Sequence, residues 1–285
     1  MGEAIRRGHP GRAGRREAEE RLAEERAKEG EMRIGVAGIA GRMGRLIAEE
    51  AARRGALAGG TLRPGQTPPP GFPFPVAADL AALAAEAEVI IDFTRAETVI
   101  AHAETLRRAG RAWVLGTTGL DGAAEEAVRE AARHIPVCRA ANFSRGVTVM
   151  LALAERLGAL FPAASFDAEI LEMHHRQKID APSGTALALG EALARGRGST
   201  LAEERLPPRD GLTGPRPNGG IGFAVLRGGQ VVGEHTLLLT SGSEQLILGH
   251  RAFDRRLFAE GAVDAAFWLA GRPPGLYSMR DVLGL

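Results

Sequence analysis

The sequence predicts an α/β protein: an N-terminal doubly wound parallel sheet, then an α+β region with a mixed, largely antiparallel sheet. Three observations carry this. From Met32 onward, short apolar runs alternate with helical patterns, as in parallel β-α-β units with right-handed crossovers. The glycine-rich string Gly35–Gly44 closes the first apolar run and opens the first helical pattern. After Gly146 the texture changes to strand-like segments joined by Gly- and Ser-containing turns, which are hairpin signals.

In chain order, Met32–Ala37 reads as a buried strand and Arg42–Arg54 as a helix. Leu57–Arg63 is a weaker strand, followed by the proline-rich loop Pro64–Pro75. Ala78–Ala87 is helical, Val89–Phe93 a strand, Glu97–Ala109 a helix and Ala112–Gly116 a strand. Ala123–His134 and Pro136–Ala140 repeat the helix–strand pattern. A long helix over Val147–Leu160 leads to a strand over Ser165–Met173. Ala186–Ala194 is helical and Gly196–Gly220 an irregular loop. Ile221–Leu226, Val231–Thr240 and Glu244–Arg251 are strand-like, with a hairpin expected at Gly228-Gly229 and another at Ser241-Gly242-Ser243. An amphipathic helix over Asp254–Leu269 follows. Residues 32–145 thus form the first domain and 146–254 the second, with 255–285 as a C-terminal segment.

Residues 1–31 are of another material, rich in Arg and Glu and poor in large apolar side chains. They read as a disordered extension or, over 16–29, as a solvated helix laced with ion pairs, and their acidic residues argue against a transit peptide. The 285-residue chain carries 45% hydrophobic and 25% charged residues, the balance of a globular protein long enough for two cores. A formal net charge of +1 gives no reason to expect nucleic acid or an anionic membrane as partner. No apolar run approaches the roughly 18 residues of a membrane span, and a cytoplasmic protein is expected. The lone Cys138 lies in the apolar run Ile135–Cys138 and reads as a buried strand thiol. No His, Cys or carboxylate group has metal-ligand spacing, so no metal is expected.

Glycines at 38, 41 and 44 stand in the strand–turn–helix context of the Rossmann fingerprint, where a helix N-terminus receives a diphosphate. Gly38, Ile39, Ala40, Gly41, Arg42 and Met43 are therefore candidate cofactor contacts. The second strand ends in Gly59-Gly60-Thr61-Leu62-Arg63, with no acid for the ribose hydroxyls of NAD. Arg63 suits the 2′-phosphate of NADP, so NADPH is favoured over NADH.

The densest chemistry lies in Glu172–Ala186. His174, His175, Arg176 and Lys178 crowd together before a Pro-Ser-Gly-Thr turn that opens a helix. Proton donors and cations beside a helix N-terminus suit a small substrate that bears carboxylates and needs a proton.

Taken together, the chain closely resembles the dihydrodipicolinate (4-hydroxy-tetrahydrodipicolinate) reductase family of the lysine pathway. The resemblance rests on Gly38–Gly44, Asp92-Phe93-Thr94, Gly116-Thr117-Thr118-Gly119, Ala141-Asn142-Phe143-Ser144, His174–Thr185, Gly233-Glu234-His235 and the run from His250 to Ala262. It implies a Rossmann-like domain, a mixed-sheet substrate domain, a closing helix that returns to the first domain, and a homotetramer built through the substrate-domain sheets. It also implies NAD(P)H-dependent reduction of a cyclic dicarboxylate. His174 matches the family's proton donor and Lys178 its second acid. His175, Ser183, Gly184 and Thr185 would hold substrate. Gly116, Thr117, Thr118, Ala140, Ala141, Asn142 and Phe143 would contact the nicotinamide and its ribose, with Phe93 and Thr94 less directly placed. Arg255 follows the closing motif as a candidate ligand contact. His235 and His250 are assigned to packing or sheet hydrogen bonding within their strands. The competing readings are a nicotinamide oxidoreductase for another small acid and an NADP-binding redox sensor, which has no need of His174 and Lys178.

Overall fold

The computed structural model describes residues 32–285, so the helix and disorder expected before Met32 lie outside the described residues. Ten strands build two sheets. The first sheet is parallel throughout, in the order β10-β5-β4-β3-β1-β2. Its strands are β1 (Ile34–Ala37), β2 (Leu57–Gly60), β3 (Val89–Asp92), β4 (Ala112–Leu115), β5 (Pro136–Arg139) and β10 (Gly275–Tyr277). Helices α1 (Arg42–Arg53), α2 (Leu80–Glu86), α3 (Val99–Ala109) and α4 (Gly122–Ala132) make the crossovers. β1, β3 and β4 are buried along their whole length, as an apolar run covered on both faces requires. Cys138 on β5 is fully buried, as expected of a packing thiol.

The second sheet has the order β7-β6-β8-β9. It comprises β6 (Asp167–His174), β7 (Ile221–Arg227), β8 (Gly233–Thr240) and β9 (Gln245–Ala252). Helices α5 (Arg145–Leu160) and α6 (Gly184–Gly196) cover one face, where Ala168, Ile170, Leu237 and Leu239 meet Ala154, Leu189 and Leu193. Each of these helices begins at a serine whose side chain accepts a backbone N–H: Ser144 from Val147, and Ser183 from Ala186. A short helix, α7 (Leu201–Glu204), lies within the segment read from sequence as irregular loop.

The chain then returns to the first sheet. Helix α8 (Arg256–Leu269) buries Ala259, Ala262, Val263 and Leu269 in the core that holds Ile34, Ile47 and Val89. β10 extends the sheet beyond β5, and α9 (Met279–Leu283) ends the described chain. The three-residue β10 was not foreseen, being too short to carry a periodic signal.

The hairpin at Ser241–Ser243 forms, joining antiparallel β8 and β9. The one expected at Gly228-Gly229 does not. β7 pairs parallel to β6, as a β-α-β unit through α6 dictates, and β8 joins the opposite edge of β6. The Gly-Gly segment instead crosses the end of β6, where Gly228 N–H donates to the His174 carbonyl (2.9 Å) and Arg176 N–H donates to the Gly229 carbonyl (3.2 Å).

Candidate active site

On the parallel sheet, the β1–α1 turn opens a cleft of about 690 Å³. Its walls include Gly38, Ala40, Gly41, Arg42, Met43, Thr61, Leu62, Arg63, Phe93, Thr94, Arg95 and His102. Two glycines are required by geometry. Gly38 has φ +69°, and a Cβ at Gly44 would collide with the Gly38 carbonyl. The N-cap of α1 is Gly41, with no side chain on the first amides, which leaves a cradle fitted to an anionic diphosphate. Arg42, Arg63 and Arg95 face this cleft with Glu97 as the carboxylate among its described lining residues. Of the expected contacts, Ile39 differs. Its side chain is fully buried and its N–H donates to the Thr61 carbonyl at 2.9 Å, so both are committed to the core.

Sequence reasoning also missed how the cleft's far wall is held. Asp92, fully buried at the end of β3, accepts from Thr94 N (2.9 Å) and Thr94 Oγ1 (2.6 Å), and pairs with His102 Nδ1 (2.7 Å). Gly116, Thr117 and Thr118 follow β4, while Ala140, Ala141, Asn142 and Phe143 follow β5, at the carboxyl edge where open α/β sheets take ligands. They lie outside the lining of the cleft. Phe93 packs between them: its ring tilts against Phe143 at 5.3 Å, and a Cβ on Gly116 would strike it.

The imidazole cluster sits at the end of the second sheet. Along β6 the inward positions run Ala168, Ile170, Glu172, His174, so the buried face turns from apolar to polar as the strand leaves the helix layer. β8 runs the other way, with His235 inward ahead of Leu237 and Leu239. The register sets Glu172 opposite His235 and His174 opposite Arg227, and the polar ends meet. The Glu172 carboxylate takes His174 Nδ1 (2.6 Å), Ser183 N–H (3.0 Å) and two nitrogens of Arg227 (2.7 and 2.9 Å). Burial pushes the pKa of Glu172 up most strongly, yet Arg227, His174 and the Ser183 amide together hold it below the ordinary carboxylate value. Burial outweighs the pull of Glu172 at His174 and leaves that imidazole below its usual pKa, with Lys178 and Arg227 pushing the same way.

His235, read from the sequence as a packing or sheet hydrogen-bonding residue, joins the imidazole cluster. Its ring meets His174 edge to face at 5.1 Å, and its Nε2 lies 3.0 Å from Ser183 Oγ. Burial first, then the neighbouring His174, brings its pKa down to about 4, so it is neutral at physiological pH. His250 touches Ser144 Oγ at 3.4 Å, and burial lowers its pKa as well. Lys178 Nζ pairs with Asp180 at 2.9 Å, which lowers that carboxyl's pKa. His175 Nε2 lies 3.3 Å from Arg255 Nη2. Ser183, Gly184 and Thr185 form the first turn of α6, and Thr185 Oγ1 accepts from Asn142 Nδ2 at 3.2 Å. The structure thus brings His174, His175, Lys178 and Ser183–Thr185 to one end of the sheet and links them to the carboxyl edge of the parallel sheet. Glu172 and Arg227 were missed, although the inward parity of Glu172 is readable from the sequence.

A parallel sheet with a glycine-turn cleft, joined to an imidazole site at the mouth of a second sheet, is the architecture of a two-part oxidoreductase with a dinucleotide-binding fold. Residues 32–143 match the family described as dihydrodipicolinate reductase, N-terminus, and residues 146–283 match dihydrodipicolinate reductase, C-terminus. The chain belongs to this family. It is 58% identical over 254 residues to 4-hydroxy-tetrahydrodipicolinate reductase of Granulibacter bethesdensis, covering 89% of this chain and 97% of the relative. It is 60% identical over 256 residues to the enzyme of that name from Acidiphilium cryptum, covering 90% and 98%. Among solved structures, dipicolinate-bound dihydrodipicolinate reductase from Paenisporosarcina sp. TG-14 shares the fold with a TM-score of 0.70 at 23% identity, covering 87% of this chain and 97% of that one. Among the described residues, no helix is long and apolar enough to cross a membrane.

Proposed function

We propose that the chain reduces 4-hydroxy-tetrahydrodipicolinate to tetrahydrodipicolinate, with loss of water, in the cytoplasmic synthesis of diaminopimelate and lysine. The observation that carries the reading is the join between Asn142 and Thr185. It brings the carboxyl edge of a nucleotide-type sheet against the helix start that follows the two histidines. The bound nicotinamide would supply the hydride. Departure of the substrate's hydroxyl as water leaves an unsaturated ring that accepts it, and the negative charge so formed takes one proton.

In this reading His174 delivers that proton through Nε2, its Nδ1 being held by Glu172. Lys178, a half-buried cation in the loop after β6, stabilises the developing charge and serves as second acid. The N-terminal amides of α6 and the hydroxyls of Ser183 and Thr185 hold one substrate carboxylate, and His175 contacts the other side of the ligand. On the cofactor side, the uncapped start of α1 takes the diphosphate. Arg63, with Arg42 and without an acid at the end of β2, supports NADPH ahead of NADH. The dicarboxylate class of substrate agrees with the cationic, amide-rich end of the second sheet. The domain division follows residues 32–145, completed by 255–285, against 146–254. A homotetramer is supported by the uncovered sheet face, where Leu226 (48% exposed) and Ile247 (60%) lie beside Leu171, Met173 and Leu238.

The test follows loss of reduced-nicotinamide absorbance, with substrate generated from pyruvate and aspartate semialdehyde. Turnover by the wild type that collapses in Lys178→Ala and His174→Gln, with cofactor binding intact, is expected. No turnover by folded wild type would sink the reading.

A further inference from the structure

Glu172 accepts four hydrogen bonds at the heart of the site. We propose that Glu172 is a positioning residue for proton delivery: one carboxylate fixes the tautomer of His174 and, through the Ser183 amide, the seat of the substrate carboxylate. The proposal rests on the reading of His174 as proton donor and of the α6 start as the carboxylate seat.

Its basis is hydrogen-bond accounting. An ionised carboxylate only accepts. Oε2 takes His174 Nδ1 at 2.6 Å and Arg227 Nη1 at 2.7 Å; Oε1 takes the Ser183 amide at 3.0 Å and Arg227 Nη2 at 2.9 Å. The side chain is fully buried, so no water competes for these positions. His174 must then carry its hydrogen on Nδ1, which leaves Nε2 as the atom that gains and gives the mobile proton. After transfer the ring keeps its Nδ1–H and its orientation, ready to be reprotonated.

Four groups face the His174 ring or act on its charge. Glu172 lies on β6, Lys178 in the loop after it, Arg227 on β7 and His235 on β8. Lys178 and Arg227 oppose a charged imidazole, burial opposes it more, and neutral His235 adds none; Glu172 alone favours it. The carboxylate therefore also decides how much of His174 is in the acid form at cellular pH. Arg227 keeps Glu172 ionised, and its second guanidinium nitrogen reaches the Asp180 carbonyl at 2.6 Å, which ties the Lys178 loop to the same centre.

A purely structural reading makes Glu172–Arg227 a buried ion pair that staples β6 to β7. Glu172→Gln separates the two. The variant loses the charge but keeps the volume. The expected result is a kcat lower by roughly tenfold to a hundredfold at neutral pH. The fall in kcat with rising pH should move to lower pH by about one unit, so the deficit shrinks on acidification. KM for the dicarboxylate should rise, with cofactor affinity unchanged. A loss equal at every pH, tracking only a lowered melting temperature, would overturn the proposal. Nitrogen-15 NMR of His174 in the wild-type holoenzyme gives an independent reading that does not depend on any variant folding. The Nδ1–H tautomer is expected, and an Nε2–H neutral ring would overturn the proposal. His174→Gln tells failure of the proposal from failure of the reading beneath it. Undiminished kcat there removes His174 as donor, whereas a collapsed kcat beside an unshifted Glu172→Gln profile removes only the role of Glu172.

Discussion

Cofactor choice offers a prediction whose size follows from the geometry. Arg63 is an exposed residue on the wall of the β1–α1 cleft, Leu62 lines it beside Arg63, and no acid follows β2 to meet ribose hydroxyls. A hydrogen bond to a charged group contributes about 1.5–3 kcal/mol when it replaces no equal partner. Arg63 is open to solvent and Arg42 remains nearby as a second cation, so the lower end applies. Arg63→Leu should thus cost about 1.5 kcal/mol in NADPH recognition, close to tenfold in kcat/KM. NADH lacks the 2′-phosphate and should lose less than twofold, as ordinary scatter around a lost surface contact. Leu62→Glu should act in the same sense by placing a carboxylate beside that phosphate, while adding an acceptor for the hydroxyls of NADH.

The assay is steady-state kinetics with each cofactor at saturating dicarboxylate, read as the ratio of the two kcat/KM values. A fall of similar size for both cofactors after Arg63→Leu would refute the reasoning. It would mean that the residue supports the loop after β2 rather than a phosphate.

Other perturbations address the remaining structure. Gly44→Ala drives a Cβ into the Gly38 carbonyl and to 3.0 Å from Ile39 Cα, both backbone, so the turn must open; a destabilisation of about 1–3 kcal/mol with at least tenfold weaker cofactor binding is expected, by thermal melting and by fluorescence titration. Arg227→Met leaves Glu172 buried without its guanidinium, and with 20% of the Arg227 side chain exposed the loss should be about 3 kcal/mol, the low end for a broken buried pair. Because the folded pKa of Glu172 lies below its unfolded value, its stabilisation is present above the unfolded pKa and disappears as pH falls through the folded one; Arg227→Met shrinks that gap, so the acid-unfolding midpoint should move to higher pH. Burial pushes the Cys138 thiol up to about 12, so native protein at neutral pH should take up no thiol reagent and denatured protein one equivalent; rapid labelling of the native protein would contradict the assignment of Cys138 to the core.

Much of this was legible in the sequence because it is written in local periodicity. The strand–helix alternation from Met32, the fingerprint glycines and the serine before α6 each depend on neighbours a few residues away. What escaped depends on which strands lie side by side. Gly228-Gly229 has the composition of a hairpin turn, yet α6 makes β7 a parallel partner of β6, and the glycines instead wrap the end of the strand that carries His174. β10 forms only because β5 offers an unpaired edge to a three-residue segment. Arg227 lies one residue past the strand read as Ile221–Leu226, and the parallel register sets it opposite His174. Ile39 belongs to the fingerprint string, and the turn points its side chain into the core.

The polar contacts where the two halves meet say how the site works as a unit. Hydride transfer needs the cofactor and the substrate in van der Waals contact, so a protein that holds them on different sheets must both align those sheets and let them part for exchange. Asn142 to Thr185 at 3.2 Å, His175 to Arg255 at 3.3 Å and the ion pair of Arg280 with Glu155 at 2.8 Å are separate contacts at the junction. A typical hydrogen bond contributes about 1 kcal/mol net, enough to select an orientation and too little to lock it. The Glu172 cluster is of the opposite kind, with a fully buried carboxylate holding four donors within the second half. The densest hydrogen bonding is therefore concentrated where the proton is aimed, while the two halves meet through separate and partly exposed contacts.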